Sequence, residues 1–180
     1  MADTKSLKGT KTERNLANAY VAESTAYSRY TYFSQSAQKE SYFHFANIFT
    51  ETADNELHHA KIFLKYLTNG PVMTDQLSID PGILTPTVDN LAVAAEEEQK
   101  EGVEMYQKSA DVADEEGFHD IAKVFRAIAT IENRHKERFE LMRSQIENGT
   151  VWKREKPIKW QCLVCGYILS LIHISEPTRH

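Results

Sequence analysis

The sequence predicts an all-α protein: a four-helix bundle with one long crossover connection, followed by a short tail of strand-forming residues. Three observations predict it. Apolar residues recur every three or four positions along four stretches. Short polar turns divide the first stretch from the second and the third from the fourth. A proline-bearing segment, 71–89, separates the two pairs.

The first helix opens at Thr10 to Glu13, which has the form of a capping box. Leu16, Tyr20, Glu23, Tyr27, Tyr30 and Phe33 mark its inner face, and Gln38 to Ser41 reads as a turn. The second helix carries Phe45, Phe49, Thr52, Glu56, His59 and Phe63, and Asn69-Gly70-Pro71 stops it. A third begins near Asp89, with Leu91, Ala94, Glu98, Glu101, Met105 and Tyr106. Asp114 to Gly117 is the next turn. The fourth carries Ile121, Phe125, Ile128, Glu132, His135, Phe139 and Met142, and ends at Asn148-Gly149. Trp152 to Pro157 reads as a linker. The expected division is a bundle over 1–150 and a short segment over 151–180. Two helical pairs joined by a crossover are one arrangement of ferritin-like bundles.

Composition narrows the function. The chain has 180 residues, 41% hydrophobic and 26% charged, enough for a packed core without disulfides. Its net charge of -5 argues against nucleic acid and against an anionic membrane surface. There is no apolar run of membrane-spanning length and no secretory signal, so a cytoplasmic location is expected. The sequon Asn148-Gly149-Thr150 then reads as coincidence.

The informative anomaly is acid within the apolar stripes. Glu23, Glu56 and Glu132 each lie seven positions from an apolar stripe residue, a spacing that returns to nearly the same side of a helix. Glu23 and Glu56 are 33 positions apart, and Glu98 and Glu132 are 34. The midpoints fall in the two turns. In an antiparallel hairpin, residues equidistant from the turn share a height. Each hairpin therefore sets one acid level with a Glu-x-x-His: Glu56/His59 and Glu132/His135. Four buried carboxylates need compensation. Protonation is one escape. Two divalent cations are a better one, and the histidines supply further ligands. A Glu from two helices and Glu-x-x-His from two others is the ligand pattern of di-iron carboxylate bundles. Oxygen and imidazole donors suit Fe, Mn or Zn. His58, His44 and His119 are expected at the surface, and Glu96 and Glu97 on a charged outer face. Tyr27, Tyr30 and Tyr106 are either core aromatics or donors to the carboxylates.

At these residues the sequence resembles the rubrerythrin family. The resemblance rests on Glu23, on Glu56-Leu57-His58-His59, on Glu98 to Glu101 followed by Glu104-Met105-Tyr106, and on Glu132-Asn133-Arg134-His135. Glu101, one turn beyond Glu98, favours this family among ferritin-like ones. The resemblance implies a non-haem di-iron peroxidase that reduces hydrogen peroxide to water. Glu56 and Glu132 would bridge two irons. Glu23, Glu98, Glu101, His59 and His135 would complete their shells, one iron exchanging His59 for Glu101 with redox state. Tyr30 and Tyr106 match the family's aromatic neighbours of the site. It implies a rubredoxin or an NADH-dependent reductase as electron donor and a homodimer or tetramer as the assembly.

Cys162 to Tyr167 resembles the first knuckle of rubredoxin, whose iron takes four thiolates from two such knuckles. Cys162 and Cys165 are the only cysteines, so one copy of the chain cannot assemble that site. The run Leu169 to His180 does not resemble rubredoxin and reads as a non-native end. Two other readings stand beside the peroxidase: a ferroxidase or iron-handling protein, and a metal-free structural bundle.

Overall fold

The structure, a computed structural model, describes residues 5–75, 86–162 and 165–173. Part of the expected crossover, including Pro81, and the tail beyond His173 lie outside the described residues. The elements run α1 (Lys11–Lys39), α2 (Phe43–Leu64), α3 (Thr87–Glu97), a π-helical segment (Glu98–Met105), α4 (Tyr106–Glu115) and α5 (His119–Glu147). A hairpin of β1 (Lys153–Gln161) and β2 (Ile168–His173) follows. α1 packs on α2, and α5 packs on α3, the π segment and α4. The helical part has ferritin-like architecture.

The helix starts and stops follow local chemistry. The Thr10 hydroxyl accepts from the Glu13 amide at 3.0 Å, while the Glu13 carboxylate accepts from the Gly9 amide at 2.7 Å. Orphan donors of the first turn are thereby satisfied. Both hairpin turns use one device. The Tyr42 amide reaches back to the Ala37 carbonyl at 2.9 Å, and the Phe118 amide to the Ala113 carbonyl at 2.7 Å. Each closes over a left-handed residue, Ser41 (φ 67°) and Gly117 (φ 79°).

The core forms two apolar clusters. One gathers Tyr30, Phe33, Phe45, Phe49, Leu91, Phe139 and Met142. The other gathers Leu16, Phe63, Tyr106, Ile121, Phe125 and Ile128. Along α1, α2 and α5 the acids fall between the residues of one cluster and those of the other, so a polar layer sits between two hydrophobic ones.

Three expectations need correction. The third helix starts at Thr87, two residues earlier than read, because the Pro86 carbonyl accepts the Asn90 amide at 3.2 Å and the Thr87 amide donates to the Glu40 carboxylate at 2.8 Å. Trp152 to Pro157 is not simply a linker: β1 begins at Lys153 and pairs antiparallel with β2. Glu97 is not on an outer face. It is buried and ion-paired to the equally buried Arg29 at 2.9 Å. Glu96 is exposed as expected.

Candidate metal centre

α1 contributes Glu23, α2 contributes Glu56 and His59, the π segment contributes Glu98, and α5 contributes Glu132 and His135. All six are buried. They converge in two groups, Glu23, Glu56, His59 and Glu132 in one, Glu56, Glu98, Glu132 and His135 in the other. Within each group the donor atoms lie within 4.8 Å of one another. Glu56 and Glu132 belong to both.

The two halves mirror each other. His59 Nδ1 lies 2.8 Å from Glu132, 3.0 Å from Glu56 and 3.8 Å from Glu23. His135 Nδ1 lies 2.7 Å from Glu132, 3.1 Å from Glu56 and 3.7 Å from Glu98. Tyrosines tie the halves together crosswise. The Tyr30 hydroxyl donates to Glu98 at 2.7 Å, and the Tyr106 hydroxyl donates to Glu23 at 2.5 Å. Of the two expected roles for these rings they perform both, packing in the core and holding the carboxylates. Tyr27 is only half-buried.

Protons carry the charge balance of this cluster. Burial and the charges of Glu132 and Glu56, against the nearby His59 ring, lift Glu23 to about 8. Burial and the same two neighbours raise Glu98 well above the carboxylate range. Burial would lower His59, but Glu132, Glu23 and Glu56 outweigh it and hold the ring up at about 12. Burial likewise opposes Glu132 and Glu56 at His135, which rises to about 9. Glu132 falls below its ordinary value because His135 and His59 overcome its burial.

The donor set fits two divalent cations. Glu56 Oε1, both Glu132 carboxylate oxygens and His135 Nδ1 are buried with no aligned hydrogen bond, although they face one another at close range. Native interiors rarely leave such groups without a partner. Carboxylate oxygens with imidazole nitrogens are the ligands that first-row divalent ions accept.

Glu101 joins neither group. It is half-buried and lines a cavity beside them with Arg29, Tyr30, Glu97 and Gly102. Burial and the nearby Glu97 raise its carboxyl, with Arg29 and Lys100 opposing. Cys162 and Cys165 are exposed in the hairpin turn and, among the described residues, join no metal-ligating group. His58, His44 and His119 are exposed.

Sequence reasoning missed the π segment, and the signal was in the spacing. Tyr30 and Tyr106, like Glu56 and Glu132, are 76 positions apart, whereas Glu23 and Glu98 are 75 apart. The second half therefore holds one extra residue between its acid and its tyrosine. A π turn absorbs one residue without ending a helix. Gly102 lets that segment lie against α5: a Cβ there would sit 2.5 Å from Glu132 Cβ.

Comparison with known proteins follows this geometry. The rubrerythrin family model matches residues 14–143. The chain belongs to the rubrerythrin family. It is 43% identical to a rubrerythrin of Porphyromonas gingivalis over 166 residues, covering 92% of this chain and 82% of the relative. It is 45% identical to one from Clostridium perfringens over 167 residues, covering 91% and 86%. Among solved structures, fully reduced, all-ferrous nigerythrin is similar, with a TM-score of 0.67, 26% identity and coverage of 94% and 81%. The bacterioferritin of Desulfovibrio desulfuricans, with its diiron site, shares the fold at a TM-score of 0.68, with 24% identity and coverage of 77% and 81%. Rubrerythrin-family membership thus agrees with the ligand spacing. No helix among the described residues is long and apolar enough to cross a membrane.

Proposed function

We propose that this chain is a non-haem di-iron peroxidase that reduces hydrogen peroxide to water. One observation carries the reading: four buried carboxylates and two imidazoles converge as two donor groups that share Glu56 and Glu132. Those two carboxylates would bridge the ions. Glu23 with His59 would complete one shell and Glu98 with His135 the other, with Glu101 reaching in from the cavity. Bound as ferrous iron, the pair supplies the two electrons that peroxide reduction needs.

The chain's own residues do the rest. Tyr106 and Tyr30 fix Glu23 and Glu98, so two ligands keep their orientation. The apolar clusters on either side keep bulk water out. The reaction consumes two protons. Glu101, half-buried in the cavity with its carboxyl raised by burial, would deliver one. Electrons would come from an external donor, a rubredoxin or an NADH-dependent reductase, as the family resemblance implies. The working form is a cytoplasmic homodimer or tetramer.

The test is single-turnover kinetics of the anaerobically reduced, iron-loaded protein. Peroxide should oxidise it much faster than dioxygen does. Equal rates would overturn the peroxidase reading in favour of a ferroxidase.

A further inference from the structure

The internal repeat exposes an asymmetry around the two histidines. An offset of 76 positions maps Glu56 onto Glu132 and His59 onto His135. It also maps Asn55 onto Ile131. The amide of Asn55 lies 3.4 Å from His135 Nε2, across the α2–α5 interface. The repeat-equivalent residue is Ile131, which is exposed and has no side-chain donor or acceptor. The repeat that makes the ligands equivalent thus breaks at their support.

The chemistry of the ring gives this contact a direction. A histidine that turns Nδ1 towards a cation carries its proton on Nε2. That N–H must donate, so the Asn55 side chain meets it with its carbonyl oxygen, the amide being free to turn over. An anchored ring keeps its tautomer and its angle, which raises its quality as a ligand. We infer that Asn55 is a positioning residue that makes the two subsites unequal: the His135 subsite takes its ion first and holds it harder than the His59 subsite. The inference rests on the di-metal reading above.

Titration of the metal-free protein with Co²⁺, followed by visible absorption and equilibrium dialysis, tests it. The unaltered chain should bind two ions in separate steps. Asn55→Leu should weaken the tighter step on the order of 10–100-fold and leave the weaker one nearly unchanged. Asn55→Asp, which keeps an acceptor, should restore the tight step. Ile131→Asn should narrow the gap from the other side, by tightening the weaker step. That last variant, and the imidazole N–H resonance of His135 in the Zn²⁺ form, would not respond if Asn55 served only folding. Two bound ions with both steps unmoved by Asn55→Leu would overturn the inference alone. An unaltered chain that binds no Co²⁺ would overturn the metal centre itself, and the inference with it.

Discussion

Replacing Arg29 with methionine isolates a buried ion pair, Arg29–Glu97, that lies beside the candidate centre without belonging to it. Both side chains are nearly inaccessible, 6% for Arg29 and 9% for Glu97, and their charged atoms are 2.9 Å apart. At an effective dielectric constant of about 20, that separation gives a gross attraction of about 6 kcal/mol. Desolvation of two ions costs several kcal/mol each, so the pair as a whole contributes little. Removing one partner is different, because the other charge stays buried and alone. Arg29→Met should therefore cost about 3–5 kcal/mol. For a chain of this size each kcal/mol moves Tm by about 2–4 °C, so the loss is roughly 6–20 °C. Glu97→Leu should lose a comparable amount. The double variant should return to within about 1 kcal/mol of the parent or exceed it. Thermal unfolding of the four metal-free proteins supplies the cycle. Losses that simply add in the double variant would refute the reasoning, since they would mean that neither charge is stranded by losing the other.

Three further outcomes follow from the same geometry. Glu56→Ala should lose both metal ions, because its carboxylate is shared by both donor groups; about two irons retained per chain would remove the bridging assignment. Co²⁺ affinity should rise with pH between about 6 and 8, since His59 (about 12), His135 (about 9) and Glu23 (about 8) hold protons there that the cation must displace; a flat profile would contradict the proton-compensated cluster. Phe139→Ala should cost about 3–5 kcal/mol by thermal unfolding, because the ring is wholly buried with Tyr30 and Phe49 centred 5.3 and 5.2 Å away.

Helical period and distance from a turn were enough to place Glu23, Glu56, Glu98, Glu132, His59 and His135 on inner faces at one height. Both are local rules: each residue advances the helix by a fixed angle and rise, so position along the chain converts directly into position on the rod. The same rules failed at Glu97. Neighbouring Glu96 does face water, but one step around the helix a second rod covers the surface, and α1 presents Arg29 there. Whether a flank is wet depends on what packs on it, which no single helix encodes. The crosswise bonds of Tyr30 and Tyr106 are of the same kind, joining residues 68 and 83 positions apart through a packing that only the assembled bundle defines. The π segment lies between the two cases. The extra residue is written in the unequal spacings, but a surplus residue can be absorbed by a loop, a kink or a wider turn. Here the need to keep both Glu98 and Tyr106 facing inward selects the wider turn, and Gly102 gives it room against Glu132.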